Sequence, residues 1–275
     1  MNRRKTEALF YKIISYLAIS ITVGILIIII AYIMIKGIPH INLDLFSFKY
    51  TTENVSLFPA LVNTITITLL TLLFAVPLGV CSAIYLVEYS KKGNRFVSIV
   101  RMTTETLQGI PSIVYGLFGY LFFVTVVFKN YSIISGALTL AIMILPIIMR
   151  TTEEALKSVP DSFREGSFGL GAGKLRTVCK IILPCASPGI FAGIILAVGR
   201  IIGETAALIY TAGAVAQIPK DLFSSGETLA VHMYKLWSEG LNTNQSYATA
   251  VILLISVFLI NMLSDFLARK IAKKF

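Results

Sequence analysis

The chain has 275 residues, of which 56% are hydrophobic and 14% are charged, with a net charge of +10 and a mean hydropathy of +0.82. Soluble domains carry roughly 25% charged residues, so this composition excludes a soluble globular protein. Several apolar stretches approach the ~20 residues that cross a bilayer as a helix, and the alternating pattern of an outer-membrane barrel is absent. The sequence predicts an all-α, polytopic transmembrane helical bundle.

Six membrane spans are predicted, at residues 13–36, 57–87, 106–128, 131–150, 185–210 and 246–268. The basic tail before the first span resembles the start of a signal peptide. The apolar run that follows is too long for one, and no A-x-A cleavage site is present, so we expect a retained span. We therefore divide the chain into an N-terminal span with an external segment, 1–56, and a transmembrane core, 57–275, with an internal loop at 151–184.

Basic residues are distributed unevenly between the two sides of this bundle. Eighteen of the 24 lysines and arginines lie in the two tails and in the segments after spans two and four. By the positive-inside rule these segments face the cytoplasm, so both termini are predicted to be cytoplasmic. The net charge is thus a topology signal, and it does not indicate a nucleic-acid partner.

The residues that usually carry catalysis or bind metals form no recognisable pattern. Cys81, Cys179 and Cys185 lack CxxC spacing, and His40 and His232 are far apart in the sequence. No nucleophile–base pair or cofactor loop is apparent either. The sequence therefore predicts a protein that is not an enzyme and has no metal site.

Arg200 and Glu204 interrupt an apolar run in the fifth predicted span. An arginine at the centre of a membrane helix costs about 2.5–3.5 kcal/mol on insertion scales, which makes it a functional-site hypothesis. The i, i+4 spacing predicts that both side chains share one helix face, about 5–6 Å apart at Cβ. The alternative interpretation is a structural salt bridge that fixes helix packing.

The internal loop contains a predicted short helix that begins near Asp161. Ser158 and Pro160 precede this acidic residue, which suits the positive end of the helix dipole. Glycines are predicted to end the helix in a sharp turn, at positions 169, 171 and 173. A phosphate-binding loop is not indicated, because Phe168 and Leu175 occupy its required Gly and Ser/Thr positions, so the chain should not bind ATP itself.

The same loop resembles the EAA loop of ABC-importer permeases, E-A-A-x3-G-x9-I-x-L-P. The matching residues are Glu165, Gly166, Ser167, Gly171, Ile181, Leu183 and Pro184. Gly-Ser stands in place of Ala-Ala, which keeps the side chains small. The resemblance implies that these residues form a coupling helix that docks into a cleft on an ATPase subunit.

Two further stretches resemble the phosphate permeases of this family: Gly109–Phe118 matches GIPS-x3-GLF and Gly199–Ala206 matches GR-x-x-GETA. The chain length and short external N-terminal segment are more similar to PstA-type than to PstC-type subunits. The resemblance implies one half of the translocation pathway of an ATP-driven importer of inorganic phosphate. It would lie in the plasma (inner) membrane of a bacterium or archaeon.

The implied partners are a PstC-type second permease, an ATPase dimer, an external phosphate-binding protein and the lipid bilayer. ATP and Mg²⁺ would be bound by the ATPase, so no cofactor is expected in this chain. The binding protein is expected to dock on the external segments, 37–56 and 211–245.

In this context Arg200 is expected to act in the pathway or gate, because a guanidinium fits an oxyanion. Glu204 would pair with it when the pathway is empty, and Thr205 belongs to the same motif. Thr64 and Thr68 recur at helical spacing and offer hydroxyls to an anion, although such hydroxyls often bond their own helix. Glycines of the third span are expected to pack against the second permease, at positions 109, 116 and 119.

Three other functions remain open from the sequence. The chain can be a permease for another oxyanion such as sulfate or molybdate. It can be a membrane scaffold or a partner in phosphate sensing. A pore-forming channel is less favoured, since a channel needs no ATPase-docking loop.

Overall fold

The computed structural model describes residues 2–91 and 93–272, with side chains described for 7–91 and 93–266. This part of the chain folds into helices and connecting turns. Its α-helices are α1 Asn2–Gly37, α2 Phe58–Ile84, α3 Arg95–Gln108, α4 Ser112–Gly119, α5 Ile133–Lys157, α6 Asp161–Gly169, α7 Lys174–Thr177, α8 Leu183–Ile202, α9 Ala206–Thr211, α10 Leu229–Glu239 and α11 Thr243–Ala272.

Three π-helical segments lengthen some of these helices. Tyr85–Tyr89 extends α2, Tyr120–Val127 extends α4, and Val178–Ile182 joins α7 to α8. Within the described residues, five helices are long and apolar enough to cross a membrane, and the bent pair of α3 and α4 can supply a sixth span. The prediction of an all-α polytopic bundle is confirmed.

The helix α5 lies at the centre of the bundle and α1 at its edge. α5 packs against α2, α8, α4 and α9, and about two thirds of its most apolar window is buried. Its neighbours share one apolar core with it, which includes Ile67, Leu140, Ile144, Ile148, Ile201 and Leu208. α1 contacts mainly α11, and its apolar side chains are exposed, as expected for a helix surrounded by lipid.

The third predicted span, 106–128, is wrong at its start. α3 ends at Gln108, and its axis meets that of the Ser112–Val127 helix at 102°. Pro111 causes the break, because a proline lacks the N–H that a helix needs and disfavours helical geometry at the residue before it. Only the segment after the break continues along the bundle.

Two other predicted boundaries also shift. α5 continues to Lys157, seven residues beyond the predicted end of span four, so the first part of the loop 151–184 is helical. The fifth span was predicted at 185–210, but its helix extends from Lys174 to Ile202 and is then broken. α9 follows as a separate short helix.

The bundle has two distinct ends. One carries α6 and the start of α3, and we call it the α6 end. The other carries α10 and two short 3-10 helices, Ile38–His40 and Leu43–Phe46, and we call it the α10 end. α10 stops at Gly240, whose positive φ of 69° suits a glycine C-cap.

Candidate functional site

The loop helix α6 begins and ends where the sequence predicts. It begins at Asp161, directly after Pro160, and ends at Gly169. Gly171 has φ +79°, its N–H donates to the Phe168 carbonyl at 2.9 Å, and the Ala172 N–H donates to the Ser167 carbonyl at 3.1 Å. These two bonds form a Schellman motif, which explains why glycine stands at position 171.

Arg164 fastens α6 to the ends of two longer helices. Its guanidinium donates to the Glu88 carboxylate on the α2 extension at 2.7 Å, and both side chains are largely buried. It also donates to the carbonyls of Leu156 and Val159 at 2.9 and 2.8 Å. The hydrogen bond to Glu88 is the main effect that raises the pKa of Arg164. α6 is thereby held rigidly against the bundle.

This anchor was not predicted from the sequence. Arg164 directly precedes the matched motif, and Glu88 is an acidic residue at the end of a span, just before a basic segment. The acidic residue next to a basic segment was the signal in the sequence that could have indicated an ion pair. The pairing itself joins residues 76 positions apart, so only the fold reveals it.

The outward face of α6 and its flanking turns is apolar and open. Phe163 and Phe168 are exposed on α6, Leu170 is 92% exposed in the turn, and Leu175 is exposed on α7. A Cβ built on Gly166 or on three other glycines of this loop meets no atom within 4 Å. The loop therefore presents small and apolar residues without obstruction, as a docking surface requires.

The other matched residues of the loop differ in their exposure. Glu165 is exposed on α6, while Ser167 is buried and its hydroxyl bonds the Thr177 hydroxyl at 2.8 Å. Ile181, Leu183 and Pro184 are half-buried at the start of the fifth span. Ile181 and Leu183 pack on a cluster with Ala155 and Leu156. The matched positions thus divide into an exposed face and a packed base.

The predicted pairing of Arg200 with Glu204 is wrong. α8 ends at Ile202, so the two residues do not share a helix face. The Glu204 carboxylate is buried and accepts from the Ala207 N–H at 3.2 Å at the start of α9. Arg200 is exposed and forms no ion pair with Glu204 in the described part of the chain. The carboxylate instead satisfies a backbone donor of the broken helix.

Arg200 lies on an exposed stripe of α8. The exposed positions recur at helical spacing, at 185, 188, 189, 192, 196, 200 and 203. On α4, which packs against α9 beyond the end of α8, the Tyr115 hydroxyl donates to the Leu107 carbonyl at 2.9 Å, just before the α3–α4 break.

Two glycines of α4 let its backbone pack closely on other helices of the same chain. The prediction that they face a second permease is therefore wrong for Gly116 and Gly119. A Cβ on Gly116 would lie 2.8 Å from the Ala207 Cα of α9. One on Gly119 would overlap Thr139 of α5 and Thr211 of α9. Gly109 alone of the three is exposed. Close approach of helix backbones is the reason for glycine here.

The threonines of α2 serve the fold. Thr64 Oγ1 donates to the Ala60 carbonyl at 2.7 Å and accepts from the Leu229 N–H at 2.9 Å. Thr68 is buried and donates to the Thr64 carbonyl at 2.7 Å. Both hydroxyls are bonded within the fold, which supports the structural interpretation. Thr205, half-buried in the break, contacts the Gly203 carbonyl at 3.5 Å.

A second buried charged cluster lies at the α10 end and was not predicted. Glu227 and His232 are fully buried, with Oε1 and Nδ1 2.6 Å apart, and Lys235 Nζ donates to Glu227 Oε2 at 2.9 Å. The Asn63 amide donates to the carbonyls of Gln217 and Glu227 at 2.9 and 3.0 Å. The cluster fixes the segment between α9 and α10 onto α2.

Most of the sequence matches a known protein family. Residues 75–275 match the model of the binding-protein-dependent transport system inner membrane component family. The chain belongs to this family. The matched region includes the α6 loop and both helix breaks, and it begins within α2.

Similar proteins of known sequence carry related names. The chain is 34% identical, over 100% of its length and 99% of the relative, to the probable ABC transporter permease protein YqgI of Bacillus subtilis. It is 31% identical to the phosphate transport system permease protein PstA of Pasteurella multocida, covering 93% of this chain and 94% of that one.

Solved structures of transporters share the fold. A chain of a bacterial alginate ABC transporter, in complex with an alginate-bound periplasmic protein, superposes with a TM-score of 0.70 over 98% of this chain and 96% of that one, at 17% identity. A chain of the inward-facing MetNI methionine ABC transporter gives a TM-score of 0.60 at 21% identity, covering 78% and 94%. Like other members of the transport-component family, this chain is therefore a multi-pass membrane protein.

Proposed function

We propose that this chain is a permease subunit of an ATP-driven ABC importer for inorganic phosphate and forms half of its translocation pathway. The observation that carries the proposal is the α6 loop, which is anchored through Arg164 and presents exposed apolar side chains outward. A rigid helix of this kind transmits force from a docked subunit to the bundle, here to α5 and α8. The names of the PstA relatives favour phosphate as the substrate.

The proposed assembly contains a second, PstC-type permease, two ATPase subunits and an external phosphate-binding protein. ATP and Mg²⁺ are bound by the ATPase pair, and this chain holds no cofactor. The α6 end faces the cytoplasm together with both termini, in keeping with the excess of basic residues there. The binding protein docks at the α10 end, where the Glu227 cluster holds the external segment in place.

Arg200 is the proposed contact for the permeating anion. It is exposed on α8 next to the break, and its guanidinium offers a planar set of donors that suits an oxyanion. Glu204 and Thr205 shape the break, and the glycine-tight contact between α4 and α9 couples it to the α3–α4 break. Rocking of the bundle would move both breaks together and expose Arg200 to one side of the membrane at a time.

The test is ATP-dependent uptake of radiolabelled phosphate by the reconstituted complex, with sulfate and molybdate as competitors. Arg200→Gln is expected to abolish uptake while the complex still assembles. Arg150→Gln, which removes a surface arginine of α5, is the matched control and should transport normally. Competition by sulfate would identify a different oxyanion as substrate. Failure of Arg200→Gln to assemble would return Arg200 to a structural role.

A further inference from the structure

The helix α3 lies across the α6 end of the bundle instead of along it. Its axis is bent by 102° from the Ser112–Val127 helix that follows. One face packs through Val97 and Val100 on Leu86 of α2 and on Leu145 and Met149 of α5. The remaining faces are not covered by any other described part of the chain.

One uncovered face of α3 is apolar. Phe96, Ile99 and Met102 are 59%, 55% and 63% exposed. Thr103 and Thr106 complete this face, and their hydroxyls donate to the carbonyls of Ile99 and Met102 at 2.9 and 2.8 Å. Since these hydroxyls are bonded to the helix itself, the face offers mainly hydrocarbon to its surroundings.

The adjoining face of α3 borders a basic cleft of about 940 Å³. The cleft is lined by six basic side chains, Lys91, Arg95, Arg101, Lys157, Arg164 and Lys174, and by two acidic ones, Glu88 and Asp161. Three of the basic residues are paired with carboxylates, since Arg101 and Lys157 contact Glu153 and Arg164 contacts Glu88.

The other three basic residues of the cleft have no acidic partner within the described residues. Lys91 and Arg95 are exposed beside the N-terminus of α3. Lys174 lies over the Tyr89 ring at 5.1 Å. The cleft thus keeps an excess of positive charge immediately beside an exposed apolar face.

We infer that α3 is an interfacial helix and that it forms, with this cleft, a binding site for an acidic phospholipid. The acyl chains would cover Phe96, Ile99 and Met102, and the headgroup phosphate would lie near Lys91 and Arg95. An amphipathic helix with a basic polar side binds anionic membrane surfaces in this way. α3 leads directly into the apolar Ser112–Val127 helix, a candidate membrane span, so the end of α3 would lie near the membrane surface. The inference does not depend on which substrate is transported.

The test is native mass spectrometry of the complete purified complex titrated with dioleoylphosphatidylglycerol or with dioleoylphosphatidylcholine, which has the same chains and no net charge. The complete complex is required because Phe168 of α6 also lines the cleft. An ATPase subunit that filled the cleft would abolish phosphatidylglycerol binding and overturn the inference. Binding of the phosphatidylglycerol in preference to the phosphatidylcholine is the expected result.

Lys91→Gln/Arg95→Gln should weaken phosphatidylglycerol binding by about fivefold for each charge removed, or roughly 25-fold together. These residues lie at the exposed start of α3, where a positive charge is unfavourable for the helix dipole. Their removal should therefore leave folding unaffected. The matched control, Lys129→Gln/Lys220→Gln, removes two lysines remote from α3 in the sequence and should leave binding unchanged. Equal binding by the α3 variant and the wild type would overturn the inference.

Two further measurements separate the lipid from other occupants. A benzoylphenylalanine placed at Met102 should cross-link to lipid on illumination, and cross-linking to the second permease instead would show that a protein covers the apolar face. Excess inorganic phosphate should leave phosphatidylglycerol bound. Displacement by phosphate would show that the cleft is a free-anion site and would overturn the assignment to lipid.

Discussion

Two interrupted regions of the described residues, the α6 loop and the α8–α9 break, are stabilised by different contacts. The α6 loop, 158–173, is held by the Arg164 ion pair and by the backbone bonds of its glycine turn. The α8–α9 break, 203–205, is held by the Glu204 carboxylate and by close packing on Gly116. In both, a charged side chain satisfies backbone groups that an uninterrupted helix would pair itself.

The difference between these regions lies in what each leaves exposed. The α6 loop turns Arg164 inward and leaves the apolar side chains of Phe163, Phe168 and Leu170 outward. The α8–α9 break turns its carboxylate inward and leaves Arg200 outward, as suits contact with a polar solute. The α6 loop therefore exposes an apolar surface, whereas α8 exposes a cation beside its break.

The largest expected effect is at the anchor of the α6 loop. Arg164→Gln leaves the Glu88 carboxylate buried without its guanidinium, and breaking a buried ion pair in this way costs about 3–5 kcal/mol. We expect a lower thermal unfolding temperature of the complex and loss of ATP-dependent uptake. Arg150→Gln is the control, because its pair with Glu154 is exposed to solvent and contributes little to stability. An unfolding temperature equal to wild type in Arg164→Gln would show that the anchor is dispensable.

A smaller effect is expected at the glycine turn. Proline at position 171 cannot adopt φ +79° and removes the N–H that bonds the Phe168 carbonyl, a local cost of about 3 kcal/mol. Because the turn is exposed, the complex should assemble, while substrate-stimulated ATPase activity falls to its basal rate.

Gly173→Ala is the matched control for this substitution. Gly173 has φ −73° and open space around its Cβ position, so an alanine is accommodated and coupling should persist. Full stimulation of the ATPase in Gly171→Pro would show that the geometry of the turn is irrelevant to coupling.

At the α8–α9 break the expected effect is steric. Gly116→Ala brings a methyl group to 2.8 Å from the Ala207 Cα, and overpacking of this kind costs about 1–3 kcal/mol. Thermal unfolding of the complex should report the loss. Gly199→Ala, on α8 just before the break, is the control, since a Cβ there meets nothing within 4 Å. Equal unfolding temperatures for the two variants would mean that α4 and α9 are not tightly packed.

The sequence predicted the α6 loop well because its signals are local. The start at Asp161 and the turn at Gly171 depend on residues within a few positions of each other, and capping preferences describe such segments. The apolar spans were predicted for a similar reason, since length and hydropathy are properties of a single segment. The Arg164–Glu88 anchor could not be predicted, because it depends on how two distant segments meet.

The prediction failed at Arg200 and Glu204 because it assumed an unbroken helix. Gly203 lies between them, and a glycine in an otherwise apolar helical run is tolerated often enough that the break carries no strong local signal. The predicted packing partner of Gly116 and Gly119 was wrong for a similar reason. A row of glycines predicts close helix packing but does not indicate which helix packs there. Such packing is decided by tertiary contacts, here with α9 and α5.

The smallest effect concerns whether Glu204 acts by its charge or by its hydrogen bond. Glu204→Ala removes the acceptor for the Ala207 N–H and should cost about 1 kcal/mol, as loss of a helix cap does. Glu204→Gln retains a side-chain carbonyl at the same place and should unfold and transport like the wild type. Because Arg200 forms no pair with this carboxylate, the negative charge of Glu204 is not needed to neutralise the arginine. Loss of uptake in Glu204→Gln with an unchanged unfolding temperature would show instead that the pathway requires the negative charge.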